Sequence, residues 1–148
     1  MKILLIILIV IVLGLVIKSI NLNSVKTGLD ILSESSSISV NKSSIDSIMI
    51  IDPKDPDKEV KIVDKDAVKA IVEILSSTNY RYTEDRVSFK WYKELELPTR
   101  LILYSNNEGI AAGYLGGDYI QADGVAEAYQ MIDNSSGSPE DKILKFLE

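Results

Sequence analysis

The sequence predicts an α+β protein: an N-terminal transmembrane helix, then one small domain with an antiparallel sheet and C-terminal helices. Three observations carry this. The first 20 residues are almost wholly apolar, a Ser-rich stretch follows, and the remainder alternates strand-period runs with one clear helical stripe.

Ile3 to Ile17 is 15 residues without a polar side chain, bracketed by Lys2 and Lys18. As a helix, Met1 to Ile20 rises about 30 Å, the thickness of a bilayer's hydrocarbon core. The following residues, Lys18-Ser19-Ile20-Asn21-Leu22-Asn23-Ser24, offer no small-residue pair for a signal peptidase, so an uncleaved signal anchor over 1–20 is favoured over a cleaved signal peptide. Lys2 on one side nearly balances Lys18 and Lys26 on the other. The very short leading tail favours an N-terminus inside and the rest outside. A cytosolic domain on a reversed anchor is the alternative. Gly14 is the anchor's only glycine, so it has no G-x-x-x-G dimer face.

Residues 21–44 read as a flexible tether, because seven of the twelve residues from Ser33 to Ser44 are Ser. Val25, Leu29 and Leu32 have helical spacing and could form a short juxtamembrane helix.

Residues 45–148 read as one domain. Ile45 to Ile51 and Val60 to Val63 form a hairpin around the turn Asp52-Pro53-Lys54-Asp55-Pro56-Asp57-Lys58. Asp64 or Asp66 caps a helix with the stripe Val68, Ile71, Val72, Leu75, which ends at Ser76-Ser77-Thr78-Asn79. Tyr80 to Leu97 is mostly extended. Arg100 to Ser105, Ile110 to Leu115 and Asp118 to Ala122 make a meander with turns at Asn106-Asn107-Glu108-Gly109 and Gly116-Gly117. A helix is expected over Val125 to Ile132 after Asp123-Gly124. The last helix opens at Ser138-Pro139-Glu140-Asp141, with Ile143, Leu144 and Leu147 on one face.

Composition removes several activities. The chain has no Cys and no His, so thiolate chemistry and the commonest general base are both missing. Its net charge is −6, which disfavours nucleic acid. Ser19 to Glu148 carries 14 basic and 22 acidic residues, a net −8 that repels an anionic surface.

The motifs are thin. Ser39-Val40-Asn41-Lys42 and Lys26-Thr27-Gly28 fit two penicillin-recognising patterns, but in the wrong order and inside the tether. Asp55, Asp57, Glu59 and Asp66 fit part of a calcium loop, but Val60 stands where the turn needs Gly, so a solvated hairpin is favoured. Ser88 and Lys90 share a strand face for structural reasons alone. Asn41-Lys42-Ser43 and Asn134-Ser135-Ser136 are chance N-x-S matches. Phe89 and Trp91 point to one face, either an exposed platform or the sheet's core side; the core side is favoured because a small domain needs its large apolar residues. Tyr80 and Tyr82 form a second alternating pair. No catalytic, cofactor or metal residue is singled out, and no cofactor is implied.

The stretch Gly113-Tyr114-Leu115-Gly116-Gly117-Asp118-Tyr119-Ile120-Gln121-Ala122-Asp123-Gly124, ahead of Ala128-Tyr129, resembles the C-terminal hairpin of small uncharacterised extracytoplasmic α+β domains. These occur in Gram-positive bacteria as lipoproteins or membrane-anchored proteins. Ile45-Asp46-Ser47-Ile48-Met49-Ile50 and the Asp-capped helix at Asp66 are similar in kind. This chain lacks the lipoprotein Cys and adds a final helix. The resemblance implies location and no particular activity. The resulting expectation is a membrane-anchored extracytoplasmic binding module (an accessory, sensor or inhibitor) with a protein or envelope partner. The alternative is a carboxylate-dependent envelope enzyme with an acidic pair near Trp91.

Overall fold

The computed structural model describes residues 2–55, 57–83, 97–133 and 135–147. It is α+β, built on one eight-stranded antiparallel sheet. Helix α1 (Lys2–Asn23) leads almost directly into strand β1 (Val25–Thr27) and helix α2 (Gly28–Leu32). Strands β2 (Ser47–Ile51) and β3 (Glu59–Ile62) form the expected hairpin, followed by α3 (Lys65–Ser77) and β4 (Asn79–Thr83). Strands β5 (Thr99–Ser105), β6 (Glu108–Gly116), β7 (Tyr119–Ala122) and β8 (Ala128–Met131) form a meander. Helix α4 (Pro139–Leu144) follows. The strand order is β1-β4-β8-β7-β6-β5-β2-β3, which puts β1 and β3 at opposite edges.

Among the described residues no helix is long and apolar enough to cross a membrane. The side chains of α1 described without a break run from Ile6 to Ile17, a rise of about 18 Å.

The sheet divides its side chains by period two. Ile48 and Ile50, Leu101 and Leu103, Ala111 and Leu115, and Ile120 and Ala122 face α2, α3 and α4, and all are buried. α3 closes this core with the stripe read from sequence, Val68, Ile71, Val72 and Leu75. Asp64 is its cap, accepting from the Ala67 N–H at 2.9 Å. Ser138 caps α4 with Pro139 in the first turn, and Ile143 is fully buried. Glu140, in that first turn, accepts from Thr99 N–H (3.2 Å), Thr99 Oγ1 (2.7 Å) and Gly117 N–H (2.7 Å), tying α4 to β5 and to the β6–β7 turn.

The turns follow their residues. Asn106 and Asn107 take φ of 52° and 64°, the double left-handed geometry of a two-residue hairpin loop. A bulge follows: Leu103 pairs with Ala111 but Tyr104 with Gly109, leaving Ile110 as the extra residue.

Two expectations are corrected. The tether over 21–44 is not a tether at its start. Val25–Thr27 pairs with β4, and Leu29, Ile31 and Leu32 are 6%, 0% and 0% exposed in the core. The serines there satisfy backbone. Thr27 and Asp30 form a capping box, Ser33 Oγ donates to the Leu29 carbonyl (2.7 Å), and Ser35 Oγ donates to that of Leu32 (2.8 Å). The fold therefore begins at Val25 rather than Ile45.

The helix expected over Val125 to Ile132 is strand β8 instead, so one C-terminal α-helix is present where several were expected. Tyr129 and Met131 alternate with Gln130, and both strand edges are paired, to β7 and β4. Two ladders outweigh the ladder of one short helix.

Candidate functional site

The face of the sheet opposite the described helices gathers the polar and aromatic side chains that the core does not use. Period two places Met49 and Ile51 of β2, Lys61 of β3, Arg100, Ile102 and Tyr104 of β5, Tyr114 of β6, and Tyr119 and Gln121 of β7 on it. Lys61 Nζ sits 4.8 Å from the Tyr104 ring centroid, and the Arg100 guanidinium 5.8 Å from that of Tyr114. Arg100 also donates to Asp123 Oδ2 at 2.7 Å, and that bond holds the guanidinium's pKa above its ordinary value. Ala128 is buried with Tyr114 and Tyr119 packed against it.

Beside this face is a cleft of about 440 Å³. Ser36, Ser37 and Ile38 lie on one side, Ile102 and Ile110 on the other, with Glu108 and Asp123 supplying carboxylates. Ser35 also lines it, but its hydroxyl is committed: it accepts from the Ala112 N–H at 2.8 Å and donates to Leu32. The surface offers tyrosine rings, cations and a few carboxylates and hydroxyls.

A second polar cluster lies on the helix side. Lys26 Nζ donates to Glu34 Oε1 and to Tyr129 Oη (3.1 Å), and Tyr129 donates to Glu34 (3.1 Å). Burial opposes the Lys26 charge, yet the bonds to Glu34 and Tyr129 outweigh it and raise its pKa. Burial raises Tyr129 against the opposing Lys26 hydrogen bond. The cluster clamps β1, Ser33–Ser35 and β8 together.

The residues flagged in the sequence are dispersed. Phe89, Trp91, Ser88 and Lys90 lie outside the described residues, as does the proposed acidic pair near Trp91. Tyr80 is 1% exposed, and Tyr82 packs edge-on against Tyr129 at 6.2 Å, both toward the helices. Of the calcium-loop residues, Glu59 is on β3 and Asp66 on α3, and among the described residues no three acidic side chains converge. Thr27 caps α2, and a side chain at Gly28 would meet the Leu75 carbonyl at 3.0 Å, so that triplet is structural. Tyr104, Tyr114 and Tyr119 were missed. Each adjoins a core residue (Leu103, Leu115, Ile120), and that alternation alone marks them.

Comparison with known protein families, with curated proteins and with solved structures finds no match to this chain.

Proposed function

We propose that this protein is a single-pass, membrane-anchored binding module whose domain stands outside the cytoplasm and presents the tyrosine-bearing sheet face to an envelope or protein partner. The observation that carries the anchor is the exposure of α1. Its large apolar side chains from Ile6 to Ile17, and Ile20, remain 48–64% exposed, so the domain does not cover them. Leaving twelve such residues in water costs on the order of 20 kcal/mol, which a bilayer relieves. The whole of α1 is 22 residues, a rise of about 33 Å. Because β1 starts two residues after α1 ends, the domain would sit against the membrane surface rather than swing on a tether. The likeness of Gly113–Gly124 to extracytoplasmic Gram-positive domains supports the outward orientation.

The test is protease accessibility of a C-terminal tag on intact, wall-stripped cells. The tag should be lost while α1 stays in the membrane. Full protection until lysis would place the domain inside and refute the outward orientation. Recovery of the intact chain in the soluble fraction would refute the anchor.

A further inference from the structure

A groove of about 540 Å³ lies between α3 and the 3₁₀ turn Lys42–Ser44. Its floor is aliphatic: Ile45, Val68 and Val72 are buried there, while Val63 at the rim is 65% exposed. Three lysines surround it, Lys42, Lys65 and Lys69, all exposed, and among the described residues none forms an ion pair. Asp46 and Glu73 also line the groove. Asp46 accepts from Ser47 Oγ at 2.9 Å and from the Asn106 N–H, which fixes its carboxylate without cancelling its charge. Three lysines thus face two carboxylates, a net positive lining on a chain of net −6.

We propose that this groove docks an acidic segment of a partner protein that carries an apolar side chain. The aliphatic floor calls for the apolar group, and the unpaired lysines call for carboxylates around it. A glycan would find no aromatic ring in this groove to stack on. A bilayer's anionic surface is disfavoured by charge, since Ser19 to Glu148 carries a net −8. The acidic remainder of the domain repels such a segment elsewhere, so the groove would also determine where it lands. This inference rests on the reading of the chain as a binding module. It does not depend on which side of the membrane the domain occupies.

The experiment uses the full chain in nanodiscs of zwitterionic lipid and a fluorescein-labelled peptide alternating Glu and Leu. Micromolar binding is expected, weakened at least about tenfold by Lys42→Glu, Lys65→Glu and Lys69→Glu together and about threefold by Val63→Ser alone. All four positions are exposed, so folding should survive, and the thermal transition checks it. A Lys/Leu peptide should not bind. The proposal is overturned if the Glu/Leu peptide fails to bind, or if the triple variant binds it unchanged. It is equally overturned if a Glu-only peptide competes as well, or if phosphatidylglycerol vesicles bind the groove and the peptide does not.

Discussion

Helices α1 and α2 are separated by only β1 and one linking serine, and they meet opposite fates. The large apolar side chains of α1 from Ile6 to Ile17, and Ile20, are about half exposed, whereas four of the five residues of α2 are buried. The longer and more apolar segment is outside the core and the short one is inside it. Hydrophobicity alone does not decide burial; what decides is whether the sheet presents a surface to receive the segment. α2 meets Gly113, where the missing side chain lets Leu32 approach the sheet; a Cβ there would stand 2.4 Å from Leu32 Cδ2. The described apolar side chains of α1 find no such surface and stay exposed.

The largest effect should come from removing α2. A chain beginning at Ile45 loses β1, Leu29, Ile31 and Leu32, and should show no cooperative thermal transition, whereas one beginning at Ser24 should show one. Equal transitions would erase the difference between the two helices. Next is Leu32→Ala, expected to destabilise the domain by about 2–5 kcal/mol in urea titration. Gly113→Ala should cost about 1–3 kcal/mol, since both the Gln121 carbonyl and Leu32 stand within 2.4 Å of the new Cβ.

The Lys26–Glu34–Tyr129 clamp sharpens the comparison through pH. Lys26 and Tyr129 both have folded pKa values raised above their ordinary 10.5 and 10.0. The folded state therefore holds these protons more tightly. Their contribution is complete below about pH 10 and is lost as pH rises through the folded values. The melting temperature should fall above pH 10, and Tyr129→Phe should reduce that fall. The smallest effect is Tyr80→Phe. Among the described residues the buried Tyr80 hydroxyl has no hydrogen-bond partner, and burial pushes its pKa up. Deleting it should leave stability unchanged or raise it by about 1 kcal/mol; a loss of 2 kcal/mol or more would mean the hydroxyl has a bonding role.

Much of the domain was legible because local and global signals agree there. The stripe of α3 and its Asp64 cap, the β2–β3 hairpin and the Asn106–Asn107 turn each state one conformation. In residues 25–35 the helical spacing of Val25, Leu29 and Leu32 is legible but the entry of Leu29, Ile31 and Leu32 into the core is not, and serine reads as linker even when its hydroxyl closes a helix end. β8 was misread because Val125 to Ile132 satisfies a helical pattern as well, and only the vacancy between β7 and β4 selects the strand. The site was the least legible part. Its tyrosines sit on the polar phase of strands whose core phase is plain, and the lysine groove joins Lys42 to Lys65 and Lys69 across a gap in sequence that no motif spans.

The most direct test of this account is hydrogen–deuterium exchange on the full chain in lipid nanodiscs, read over Gly28–Leu32. If this segment is core, its amides should exchange as slowly as those of Leu101 and Leu103 in β5. Exchange within seconds, at the rate of an unstructured linker, would show that the domain starts at β2 after all and that nothing holds it against the membrane.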